Sequence, residues 1–204
     1  MTLRSGIFAA ALLGAVGSVS PALQAQTFGD GVAAYATGRY DQAIEIWGAL
    51  ARDGDADAAY RLGLLHELGR GVDANPAAAA DWYRRSADAG HGAAAHALAN
   101  LLAEGKGVEK DALAALDWYR RAAEAGHARA QFHLGRLYLE GILVEKDAAT
   151  AYSWFAKAAE KAGEAGLRAE AVAARDATQS FATDPSEGAE PAGESPKKVA
   201  SGAP

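Results

Sequence analysis

The chain has 204 residues, half of them apolar and only 8% aromatic, enough for one modest domain with a real core and a composition that favours closely packed helices over strands. Lys and Arg total 20 against 26 Asp and Glu, a net charge of −6, which argues against nucleic acid or an anionic membrane as the main partner. No cysteine is present, so disulfides play no part and a cysteine-borne lipid anchor is not expected.

The first segment, MTLRSGIFAAALLGAVGSVSPALQAQ, joins Arg4 to an apolar run from Ile7 to about Val19, then helix-breaking Pro21 and small Ala25. This is the pattern of a secretory signal peptide over 1–25. The run is shorter than the roughly 20 residues that a spanning helix needs, so no stable membrane insertion is expected. Cleavage after Ala25 leaves Gln26 first, although Leu23 is less usual than a small residue three positions before the cut. The expectation is a soluble periplasmic or secreted protein.

From residue 55 the chain repeats itself. DWYRRAAEAGH at 117–127 nearly copies DWYRRSADAGH at 81–91, and Trp82, Trp118 and Trp154 are evenly spaced 36 residues apart. The same offset relates Leu62, Leu98 and Leu134, and also Gly69, Gly105 and Gly141. Three gapless units over 55–90, 91–126 and 127–163 signal a solenoid, in which each unit buries its apolar face against its neighbours.

Each unit reads as two helices. Ala59, Leu62, Leu65 and His66 stand at helical spacing, and Gly69 with Gly71 ends that helix. The second opens with Asn75 as N-cap and Pro76 at the first helical position, where a missing N–H costs nothing. Asp111 and Asp147 take the capping place later, and Gly90 and Gly126 end the second helix in the left-handed conformation. Gly63, Ala99 and Gly135 are equivalent small residues inside the first helix. Because a helical glycine costs about 1 kcal/mol, the partner helix is expected to approach closely there, with Trp118 and Tyr119 filling the core between them. Asp81 with Arg85, Arg84 with Asp88, Asp117 with Arg121 and Arg120 with Glu124 stand four apart and are expected to pair. The arginine doublets then form a solvated face rather than a basic ridge.

The units LGLLHELGRGVDANPAAAADWYRRSADAGH, LANLLAEGKGVEKDALAALDWYRRAAEAGH and LGRLYLEGILVEKDAATAYSWFAKAAEKAG resemble Sel1-like repeats, relatives of tetratricopeptide repeats, over about 55–162. Ahead of them, 27–54 resembles a tetratricopeptide helix pair through Gly31, Tyr35, Gly38, Tyr40, Ala43 and Trp47. The resemblance implies an all-α fold, a right-handed α/α superhelical solenoid of antiparallel helix pairs with a concave groove. It also implies an adaptor that holds a protein or peptide partner, as in regulators or assembly factors of the bacterial envelope. The third unit departs from the pattern at Leu143, where Gly71 and Gly107 stand in the others, and at Ala162, with glycine displaced to Gly163. Leucine disfavours positive φ, so a different turn is expected there. A helix over 164–182, carrying Leu167, Ala171, Val172 and Ala174, is expected to cover the last repeat, and the Pro-, Gly- and Ser-rich segment 183–204 to be a disordered tail.

Catalytic constellations are sparse. Some cysteine-rich relatives have been labelled β-lactamases, but the one Ser-x-x-Lys sequence, SPKK at 195–198, lies in the tail, where nothing holds a nucleophile beside a base. Asp81 and Asp117 are repeat equivalents with arginine neighbours and no apolar pocket to make an acid of either. His91 and His127 follow the glycine stops, His66 takes the place of Tyr138, and His96 and His133 lack a second ligand at i+4. A His96–His133 metal pair is therefore not expected, no phosphate loop is present, and no cofactor is implied.

In solenoids of this kind the first helices tend to line the concave face. Positions there that differ between units are Arg61, Leu64 and Leu68, then Asn100 and Glu104, then His133, Arg136 and Glu140. Arginine and asparagine beside leucine suit an extended peptide or a helix. The alternatives are a structural role with the groove or tail against peptidoglycan, and a hydrolase.

Overall fold

A computed structural model describes residues 26–183. The signal peptide expected over 1–25, the tail from 184 onward and its SPKK sequence lie outside the described residues. Within them the chain is helical throughout. In order the helices are α1 (Phe28–Ala36), α2 (Tyr40–Arg52), α3 (Ala56–Leu68), α4 (Pro76–Asp88), α5 (Gly92–Glu104), α6 (Ala112–Glu124), α7 (Ala128–Glu140), α8 (Ala148–Lys161) and α9 (Ala165–Thr183). They pack as consecutive pairs, each helix against the next. No described helix is long and apolar enough to cross a membrane.

Side chains end the helices where the sequence pattern puts them. The Asn75 side chain accepts from the Ala78 N–H with Pro76 at N1, and Asp111 and Asp147 each accept from two first-turn N–H groups, satisfying donors that a helix start leaves unpaired. The α3–α4, α5–α6 and α7–α8 turns close alike. Arg70, Lys106 and Ile142 N–H groups donate to Leu65, Leu101 and Leu137, and Asn75, Asp111 and Asp147 N–H groups to His66, Leu102 and Tyr138.

That identity overturns the different turn expected at Leu143, which holds φ 60° where Gly71 and Gly107 hold 74° and 72°. The hydrogen bonds on both sides fix the backbone, so leucine adopts the left-handed conformation at about 1–2 kcal/mol. Space decides where glycine is obligatory. A Cβ on Gly107 would stand 2.5 Å from the backbone of Pro76 and Ala77, whereas the Leu143 side chain is exposed. After α8 the left-handed stop is absent altogether. Ala162 is extended, its carbonyl accepts from Arg168 at 3.1 and 2.8 Å, and α9 turns back to bury Ala171 against Ala158 and Ala159.

The core corrects the expected role of tryptophan. Tyr83 and Phe155 are fully enclosed and Tyr119 is 5% exposed, whereas Trp82, Trp118 and Trp154 are only half-buried. A Cβ added at Gly135 would come within 2.6 Å of the Phe155 ring, and one at Gly63 would enter the ring of Tyr83. The small-residue slot therefore takes the ring after tryptophan. Each tryptophan instead lies beneath a cation one turn on, with Arg85, Arg121 and Lys157 at 4.8, 4.4 and 4.2 Å from the ring centres. The four-apart charge pairs are corrected with it. Arg84 and Arg120 reach back three residues to Asp81 and Asp117 at 3.4 and 3.3 Å, because the second arginine of each doublet covers tryptophan. In the α1–α2 pair the tryptophan itself is core: Trp47 is buried, its ring backed by Gly31, and its Nε1–H donates to the Phe28 carbonyl at 3.4 Å.

Candidate functional site

The varying positions of α3, α5 and α7 fall at i, i+3 and i+7, so each helix presents them as one stripe. Arg61, Leu68, Glu104, Arg136 and Glu140 are exposed, and Leu64, Asn100 and His133 half-buried. Leu68, at 56% exposure, is among the most exposed large apolar residues described. Beside it a small cleft of ≈30 Å³ opens between Tyr35, Trp47, Arg61, Leu64 and Leu68, bringing the first pair and the first repeat to one place.

Two polar residues of the stripes are partly engaged. Asn100 accepts from the Tyr119 hydroxyl at 2.7 Å, which turns its carbonyl inward. Arg136 donates from Nε and Nη2 to Glu140 Oε1 at 3.2 and 3.1 Å, so its guanidinium already holds a carboxylate. His133 stacks on Tyr119 with ring centres 4.2 Å apart, and burial holds its pKa below the ordinary value, helped by Arg136.

The histidines carry roles that the sequence reading missed. His91 and His127 are N-caps, their Nδ1 atoms accepting from Ala94 and Ala130 N–H at 3.1 and 3.4 Å. The aligned slot in the first unit is Asp55, which accepts from Ala58 N–H at 2.9 Å; the repeat register equating Asp55, His91 and His127 is the signal that could have found them. His96 and His133 both pack against Tyr119, 5.7 and 4.2 Å from its ring centre. Among the described residues no group of three His, Asp or Glu is placed to hold a metal ion.

Gln131 was also missed. Its repeat equivalents are Ala59 and Ala95, yet it is buried at the floor of a ≈520 Å³ cleft lined by Glu124, Trp154, Lys157 and Lys161 among others. Its Nε2 donates to the Ala123 carbonyl at 3.0 Å, and its Oε1 is buried without a partner. That oxygen is closed off from solvent. Asp81 and Asp117 are exposed surface carboxylates, without the enclosure that raises an acid's pKa.

The family described as "Sel1 repeat" matches residues 56–91, 92–127 and 128–162. Among solved structures, the chain is similar to a Sel1 repeat protein from Oxalobacter formigenes, with TM-score 0.64 and 31% identity over 67% of this chain and 56% of that one. It is also similar to a protective antigen present in uropathogenic Escherichia coli strains, which displays an SLR fold, with TM-score 0.56 and 29% identity over 65% of this chain and 31% of that one. The chain thus spans about half the length of the first and a third of the second. No curated protein matches it.

Proposed function

The chain belongs to the Sel1 repeat family, whose solenoids are generally protein-interaction scaffolds, and from that premise we propose a non-catalytic adaptor that holds a protein or peptide on the α3–α5–α7 face. The observation that carries the reading is the α3 stripe, where exposed Leu68 and Arg61 flank a small cleft. An apolar side chain of the partner seats over Leu64 and Leu68, and a carboxylate meets Arg61, whose planar fork suits bidentate pairing. Further along, the Asn100 NH₂ donates to a backbone carbonyl of an extended segment. The N-terminal pattern of Arg4, the apolar run and Ala25 supports export, and envelope regulation or assembly as the setting.

The test is cross-linked capture from an envelope extract, followed by affinity measurement with each captured protein. Arg61→Glu with Leu68→Ser changes two exposed side chains and no core residue, so helicity should be retained while affinity falls at least about tenfold, as expected for loss of an anchoring residue. Equal binding by the variant and the parent overturns the face. Co-sedimentation with purified cell wall that persists in the variant would instead favour the peptidoglycan alternative.

A further inference from the structure

The two joints between repeats are built on the same plan with different charge chemistry. At the first, His91 caps α5 through Nδ1, its Nε2 stands 3.0 Å from Asp57 Oδ1, and its ring stacks on Tyr60 at 4.6 Å. At the second, His127 caps α7 through Nδ1, Ala93 stands in the repeat position of Asp57, and His96 in that of Tyr60. The His96 and His127 rings lie 4.8 Å apart. An accepting Nδ1 carries no proton, so His127 is the neutral Nε2–H tautomer. Protonation would turn the cap into a donor facing the Ala130 N–H and place a positive charge at a helix N-terminus, where the helix dipole opposes it.

We propose that the joint between the second and third repeats is an acid-sensitive hinge of the solenoid, closed by an uncharged His96–His127 pair and loosened when that pair takes up a proton. The groups acting on the pair all oppose charge. His96 on α5 faces Tyr119 from α6 and feels His127, His133 and Arg129 from α7; His127 feels Arg129 and His91. Two carboxylates belong to this group: Glu140 acts on His133, and Glu164 pairs with Arg129 and offsets part of its charge. Burial first, then these cations and rings, hold His96 down to about 4 and His127 below its ordinary value. A folded pKa below the unfolded value of about 6.5 gives stability that is fully present above that pH. It is lost as pH falls toward the folded value. At the first joint the Asp57 carboxylate stands beside His91 Nε2, a partner that the second joint lacks. Since α5 and α7 carry Asn100 and Arg136, loosening also changes the spacing of the proposed partner face; that consequence rests on the proposed function, while the hinge does not.

The experiment is amide hydrogen exchange on the full chain from about pH 7.5 to about pH 4.5, corrected for intrinsic rates, comparing Ala130 with Ala94. Ala130 should lose protection on the order of tenfold more than Ala94. His96→Tyr and His127→Asp copy Tyr60 and Asp55 of the first unit, and a smaller excess loss in either supports the hinge. Equal losses at the two turns, a greater loss at Ala94, or protection that does not change with pH overturns it. So does an unchanged excess loss in both variants, each confirmed as helical at neutral pH.

Discussion

Trp118 and Tyr119 are neighbours in the chain and recur together as Trp82 with Tyr83 and Trp154 with Phe155, yet they do different work. The second ring of each couple closes the core of its helix pair, and the tryptophan rests half-buried on the shoulder beneath Arg85, Arg121 or Lys157. Successive residues on a helix point about 100° apart, so one ring at most aims at the slot opposite Gly63, Ala99 and Gly135. The difference shows that the larger aromatic is not automatically the deeper one. The slot is cut by a missing or small side chain on the facing helix, and the flat six-membered ring fits it.

The middle unit adds a gradation. A real Cβ stands at Ala99, and Tyr119 is the least enclosed of the three rings, 5% exposed against 0% for Tyr83 and Phe155. Tyr119 recovers part of that loss by donating its hydroxyl proton to Asn100. Burial, then Glu104, pushes its pKa up to about 12, so it remains a neutral donor through the physiological range.

The largest expected effect is that of Tyr119→Ala, about 3–5 kcal/mol for emptying a buried ring site. It is read as a lowered urea midpoint by circular dichroism and tryptophan fluorescence together, since units of a solenoid can melt separately. Next comes Gly135→Ala, which drives a Cβ to 2.6 Å from the Phe155 ring. Overpacking of about 1–3 kcal/mol, set against about 1 kcal/mol gained in helix propensity, leaves a net loss of at most about 2 kcal/mol, and a higher midpoint would show that the slot is looser than its geometry. The smaller of the two ring removals is Trp118→Ala, about 1–2 kcal/mol from a half-buried ring and its cation contact. A Trp118→Ala loss equal to that of Tyr119→Ala would erase the distinction between core and shoulder.

Much of this was legible in the residues. The period of 36 was visible in Trp82, Trp118 and Trp154, and Asn75, Asp111 and Asp147 marked helix starts, because capping is a local exchange between one side chain and the next turn's N–H groups. The need for a small residue at Gly63 and Gly135 was legible too, although which ring answers it was not. Of the candidate face, the i, i+3, i+7 stripe was readable. The inward turn of Asn100 was not, since it depends on Tyr119 from the neighbouring helix, nor was the side-chain direction that joins Arg136 to Glu140; the histidine caps went unread although their register with Asp55 carried them. The turn at Leu143 misled because residue preference disfavours its φ, while the backbone hydrogen bonds of the turn overrule that preference.

The sequence by itself determined the helices, their pairing and the register of the repeats. Those follow from periodicity and caps, whose partners lie within a few residues. Tertiary structure alone decided which aromatic is core, which arginine covers tryptophan, and which joint sets a histidine against Asp57 and which sets one against a second histidine. In each case the deciding partner stands on another helix or depends on which way a helix faces, and the energy of the contact depends on burial that no local pattern carries.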